Sequence, residues 1–157
     1  MNMSIIKHIF VGFLALAAQI MLFRHLRIFG AEADVVLIFI FWLMSIHTRT
    51  TVLFFAAAFG LFQDALLDLW GLNMFAKVLM VLFFYNFVPK VDEPKQPFVR
   101  FLVIFTGITF FHNLILVGLA SFIQSLSATA VLGRVLVGNT LFTTLTGSFI
   151  HTMREDK

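Results

Sequence analysis

Apolar residues in this chain gather into six runs separated by short polar intervals. The first extends from Ile9 to Phe23, with Lys7 and His8 ahead of it and Arg24 closing it. A polar connector, Arg24 to Asp34, carries Arg27, Gly30, Glu32 and Asp34 into the second run, Val35 to Ile46, which has Trp42 near its far end. His47-Thr48-Arg49-Thr50-Thr51 forms a tight polar turn before the third run, Val52 to Phe62. The fourth, Leu72 to Val88, contains Lys77 and stops at Pro89. After it, VPKVDEPKQPF holds all three prolines beside Lys90, Asp92, Glu93 and Lys95, and reads as an exposed linker over 89–97 that cannot continue a helix. The fifth run spans Phe98 to Ile123 with Arg100 at its mouth, polar Gln124 to Thr129 follows, and the sixth, Val131 to Ile150, leads into the charged tail HTMREDK. The pattern predicts helices over 5–23, 33–47, 50–66, 71–88, 98–124 and 130–151, in a single domain 1–157, since no polar segment is long enough to fold alone.

Two runs are short for a bilayer. At 1.5 Å per residue, about 12 residues cover only ~18 Å of a hydrocarbon core ~30 Å thick. Either those helices extend into their polar flanks or Asp64 sits below the membrane surface. The first run has the outline of a secretory signal, and Ala15-Leu16-Ala17 resembles a cleavage site. Those small residues lie inside the apolar run, however, with Ile20 to Phe23 after them, so a retained first helix is expected.

Composition sharpens the class. With 61% hydrophobic residues, 12% charged residues, mean hydropathy +1.00 and 22 phenylalanines, a water-soluble fold would leave too much apolar surface uncovered. An all-α integral membrane protein with six transmembrane helices is expected. The pI near 9.7 comes with a net charge of only +3 on basic residues scattered between apolar runs, which reads as a topology signal and not as nucleic-acid binding. Six crossings place Lys7, Arg49, Lys90, Lys95, Arg100, Arg154 and Lys157 on the side of the termini and Arg24, Arg27 and Arg134 opposite, which predicts cytoplasmic termini. The chain has no cysteine, so disulfides and thiolate metal sites are excluded, in keeping with a cytoplasmic-membrane protein.

Candidate chemistry concentrates between Ala56 and Tyr85. A charge at the bilayer centre costs about 2.5–3.5 kcal/mol on the insertion scale, so Asp64, Asp68 and Lys77 each call for a partner, a wet recess or an interface. Gly60, Asp64 and Asp68 are four apart and would share one stripe of a continuous helix, with Gly60 admitting a neighbouring backbone. One reading makes the carboxylates a proton- or cation-handling pair. The other makes Asp68 a solvated helix end, Trp70 an interface marker and Asp64 a structural pin held by an internal partner. Lys77, one turn beyond Asn73, either meets one of these acids across an antiparallel hairpin or extends its ammonium to the near interface. His112 and Asn113, with Thr106 and Thr109, read as a hydrogen-bonded helix contact, and Asn139, Thr143 and Gly147 as a close helix seam. Arg134 is expected near the outer headgroups. No catalytic residue, cofactor site or metal site is expected: phosphate-binding loops, nucleophile elbows and HExxH are missing, and His8, His47 and His151 stand at membrane edges.

Gln19, the connector Ile28-x-Gly30-x-x-x-Asp34, and above all Gly60-Leu61-x-x-Asp64 followed by Gly71-Leu72-Asn73 resemble the MreD family of rod-shape-determining membrane proteins, over nearly the whole chain. Ala33 stands where that family commonly has proline, and Lys77 lies outside the family pattern. The resemblance implies a six-helix fold similar to the substrate-binding subunits of energy-coupling-factor vitamin transporters. It also implies a non-catalytic scaffold in the bacterial inner membrane, working with MreC, the MreB filament, RodA and its partner transpeptidase in lateral peptidoglycan synthesis. Gly60, Asp64, Gly71 and Asn73 would then fix the hairpin of helices three and four, with Asp34 at the start of helix two. A phenylalanine-rich flank would remain to dock a transmembrane helix of MreC or of a wall-synthesis enzyme, and pairing with a second copy stays open. Two rivals remain: a vitamin-binding transporter subunit, although Ala15, Ala17 and Ala18 form no single docking stripe, and a small proton-coupled channel centred on Asp64.

Overall fold

Local chemistry at the polar intervals decides where each helix starts and stops. In the computed structural model, which describes residues 3–23, 31–91, 97–123 and 129–155, nearly everything described is helical and no strand occurs among these residues. Six α-helices fall on the six apolar runs: α1 Met3–Ala18, extended by a π-helical turn Gln19–Phe23; α2 Val35–Ile46; α3 Arg49–Leu67; α4 Leu72–Phe84, closed by a 3₁₀ turn Tyr85–Phe87; α5 Phe98–Ile123; and α6 Thr129–Glu155. Asp34 caps α2, its Oδ1 accepting from the Leu37 N–H at 2.9 Å. His47 leaves the helix in an extended conformation, and α3 begins two residues later.

The turn from α3 to α4 departs from the expected continuous stripe. Asp68 adopts the left-handed conformation (φ 58°), its N–H and that of Leu69 both reaching the Asp64 carbonyl, so Asp68 leaves the helix face of Gly60 and Asp64 and lies exposed. Trp70 (φ 48°) stands out from the turn at 88% exposure, and Gly71 (φ 89°) leads into α4. A Cβ at Gly71 would meet nothing, which isolates the backbone cost. Gly71→Ala is therefore expected to destabilise by about 1–2 kcal/mol through left-handed strain alone, measured by unfolding in mixed micelles, with no change in the packing of α3 on α4.

α2 is the buried centre. Val36, Leu37, Phe39, Ile40, Phe41, Leu43 and Met44 are all covered, so its lack of a polar face follows from neighbours on every side. α1, α3, α5 and α6 surround it and turn large apolar side chains outward, Phe10, Phe54, Leu145 and Phe149 among them. Three helical stretches, Ile5–Leu22, Arg49–Leu67 and Phe98–Ser121, are long and apolar enough to cross a membrane, which marks this as a membrane protein. α2 and α4 are shorter.

α3 and α4 make the most extensive helix pair, and Gly60 explains the close approach: a Cβ there would lie 2.5 Å from the Met74 Cα. At Gly147 a Cβ would lie 2.3 Å from the Phe105 ring, which seats α6 against α5. His8 of α1 meets His47, the Tyr85 hydroxyl donates to the His47 carbonyl, Phe41 packs on Phe101, and Phe101 stacks on His151 near the end of α6. These contacts bring the start of α1 and the end of α6 to one end of the bundle.

The linker is less exposed at its start than expected. Val88 is buried, and half-buried Lys90 donates from Nζ to the Met44 carbonyl at 2.7 Å and lies 3.4 Å from the centre of the Tyr85 ring. The Val91 N–H adds a bond to the Ser45 carbonyl. The end of α2 therefore holds the chain as it leaves α4. Residues 24–30, 92–96 and 124–128 lie outside the described set, as do the side chains of Arg134 and Arg154, and with them the readings of Arg24, Arg27, Gly30, Lys95 and Arg134.

Candidate functional site: a buried polar network

The expected carboxylate sites divide into two roles. Asp64, near the end of α3 and 2% exposed, faces the first turn of α4. Its Oδ1 accepts from the Asn73 backbone N–H at 2.9 Å and from Asn73 Nδ2 at 3.0 Å, and its Oδ2 from the Met74 N–H at 2.9 Å. A carboxylate here satisfies N–H groups that the helix start leaves without intrahelical partners, and it sits at the positive end of the α4 dipole. Gly60 one turn earlier is what lets the α4 backbone come within reach. Asp64, Gly60, Asn73 and Gly71 thus converge on one hairpin, while Asp68 stands apart.

Lys77 neither reaches the interface nor pairs with Asp64 or Asp68. It is fully buried and its ammonium lies 2.7 Å from Asp34 Oδ2, an acid 43 residues away at the start of α2. The other two contacts of Lys77 Nζ are Asn73 Oδ1 at 3.1 Å and His112 Nε2 at 3.4 Å. The physical reason for this choice of acid is that the carboxylate of Asp64 is already occupied by three donors. Asn73 links the two acids, donating to Asp64 and accepting from Lys77.

Asp34 is held from several helices at once. Gln19 Oε1, from the π-helical turn after α1, accepts from the Val35 N–H at 2.6 Å; Thr143 Oγ1 of α6 accepts from the Asp34 N–H at 3.0 Å; and Asn139 Oδ1 accepts from the Glu32 N–H at 2.9 Å. The Asn139, Thr143 and Gly147 stripe, read as a plain helix seam, therefore divides: its polar members grip the connector backbone and only Gly147 provides a close packing contact. On α5, Asn113 Nδ2 donates to Thr140 Oγ1 of α6 at 3.1 Å, and Thr109 returns its hydroxyl to the Phe105 carbonyl. His112 is fully buried, 4.0 Å from Asp34 Oδ2, and its Nδ1 makes no hydrogen bond among the described residues.

Side chains from the turn after α1 and from α2, α4, α5 and α6 thus gather around one ion pair, which Asn73 ties to Asp64 of α3, and Lys77 Nζ lies within 3.4 Å of three polar side-chain atoms. Among the described residues no three histidine or acidic side chains converge to hold a metal ion. A lateral groove of about 310 Å³ between α1 and α3 is apolar, lined by Ile5, Ile9, Phe13, Phe55, Phe59 and Phe62 with their neighbours. Chemically the network can fix the relative positions of helices. Comparison with protein families, with curated proteins and with solved structures found no match.

Proposed function

We propose that this chain is a non-catalytic scaffold of the bacterial inner membrane, crossing it six times with both termini in the cytoplasm. Its place is the elongasome, where it supports cell shape and lateral peptidoglycan synthesis beside MreC. The larger assembly would include MreB, RodA and the partner transpeptidase. The observation that carries the reading is that the expensive polar side chains are bonded to one another: Asp34 and Asn73 to Lys77, and Asp64 to the α4 backbone. A charge cluster of this type specifies one packing arrangement, which is what a docking platform needs and a turnover site does not. Support for the particular system comes from the Gly60-Leu61-x-x-Asp64 and Gly71-Leu72-Asn73 resemblance. The outward Phe10, Phe54 and Phe62 provide an apolar flank for a partner's transmembrane helix.

Mild-detergent purification tests the reading. MreC is expected to be recovered with the tagged chain, and variants that leave the core intact but alter the outer flank, such as Phe54→Ser, are expected to lower that recovery. A stoichiometric vitamin in the preparation, or ion flux through the purified protein in liposomes, would overturn the scaffold and favour the transporter-subunit or channel alternatives.

A further inference from the structure

The turn between α3 and α4 holds a tryptophan in a conformation that no contact inside the chain repays. Trp70 is left-handed (φ 48°), a region that a bulky L residue rarely adopts, and its side chain stands 88% exposed. Asp68, two positions earlier, is exposed as well. Neither side chain makes a hydrogen bond, ion pair or ring contact among the described residues. The turn also ends a line: Phe54, Ala58, Phe62 and Leu66 follow one another at one-turn spacing along α3, all of them exposed. From Phe54 to Leu66 that line covers ~18 Å of a hydrocarbon core ~30 Å thick, and its first three members border the apolar groove beside α1. His47, just before α3, meets the start of α1, so the Asp68–Gly71 turn lies at the opposite end of the bundle from that start.

We propose that the Asp68–Gly71 turn docks an arginine or lysine at the outer end of a partner's transmembrane helix, with that helix lying along the exposed face of α3. The inference rests on the scaffold reading and adds to it the chemistry of the partner. Two features of one turn carry it. The Asp68 carboxylate supplies the opposite charge, and the Trp70 indole supplies a ring face on which a guanidinium or ammonium stacks. Exposed tryptophan is also the side chain that most often anchors a protein contact.

Charge separates this occupant from the others. An anchor in the lipid headgroups calls for the indole alone, and a carboxylate two residues away would face the headgroup phosphates with like charge. A second copy packed face to face along α3 would bring an identical turn to the same depth, acid against acid. A purely apolar helix would fill the line from Phe54 to Leu66 and leave Asp68 unmatched. A helix with a cation at its outer end satisfies both the line and the turn.

The chain has two tryptophans, so Trp42→Phe leaves Trp70 as the sole indole and makes the test direct. The full chain in nanodiscs is mixed with a leucine–alanine transmembrane peptide that carries a nitroxide near its outer end and either arginine or glutamine at that end. The arginine peptide is expected to quench Trp70 emission at a concentration at least about threefold lower than the glutamine peptide. Asp68→Asn keeps the turn and removes its charge, and is expected to bring the two peptides level. Trp70→Gly relieves the left-handed strain, so its thermal unfolding midpoint is expected to rise while its retention on the immobilised arginine peptide falls at least about threefold. Equal quenching by the two peptides, which an indole held by headgroups alone would give, overturns the proposal. An arginine preference that survives Asp68→Asn, or undiminished retention of Trp70→Gly, overturns it as well. The peptide carries nothing of MreC, so a failure here is distinct from a failure of the co-purification that tests the scaffold.

Discussion

Lys77→Met is expected to destabilise the fold by about 3–5 kcal/mol, because it leaves the Asp34 carboxylate at the buried junction without its counter-charge. Among the described residues the ammonium is the one cation at hydrogen-bond distance from the carboxylate, at 2.7 Å, and the Asp34 side chain is only 12% exposed, which leaves water little access as a substitute. Asp34→Asn preserves the cap on α2, since an amide oxygen can still accept from the Leu37 N–H, but it strands Lys77 in turn. The double variant Asp34→Asn, Lys77→Met removes both charges. Its loss is expected to fall short of the sum of the single losses by at least about 1 kcal/mol, as side chains in one network do not act independently. Unfolding of all four proteins in mixed micelles reads this coupling. Strictly additive losses, or a Lys77→Met protein as stable as its parent, would mean that the pair does not organise the bundle.

A matched pair of substitutions separates the two acids at the end of α3. Asp64→Asn offers one acceptor oxygen where three N–H groups now bond to two, and its own NH₂ must face one of those donors. At least one buried donor is left unpaired and a charge-assisted contact is lost, a cost of roughly 2–3 kcal/mol. Asp68→Asn changes an exposed residue in a left-handed turn that asparagine also tolerates, and is expected to stay within about 0.5 kcal/mol of the parent. The same unfolding assay measures both, and disulfide mapping between α3 and α4 should show a loosened hairpin for the first alone. Equal effects at the two positions would contradict the placement of Asp64 as the brace of α4.

Much of the candidate site was visible in the chain before any fold was known. Gly60 and Asp64 one turn apart, and Gly71 and Asn73 after a short interval, mark a hairpin whose partners are close in sequence, and such local contacts can be inferred from helical spacing. Lys77 marked itself as costly for the same reason that any charge in an apolar run does. Its partner was not visible. Helical spacing favours the nearby acids, whereas Asp34 reaches Lys77 only because α2 is threaded through the middle of the bundle. Asn139 and Thr143 were legible as one stripe of α6 but not as acceptors for the connector backbone, since nothing in their spacing tells which chain segment will lie across them.

The helical character, the count of apolar segments and the membrane environment therefore belong to the linear order of residues, because hydropathy and turn chemistry act over a few positions at a time. Which acid neutralises Lys77, which helix is enclosed by the others, and why Asp68 leaves the line of Gly60 and Asp64 were decided only when distant segments packed. Each depends on pairs of groups tens of residues apart, or on a backbone turn whose handedness no periodicity encodes, competing for the same buried donors and acceptors.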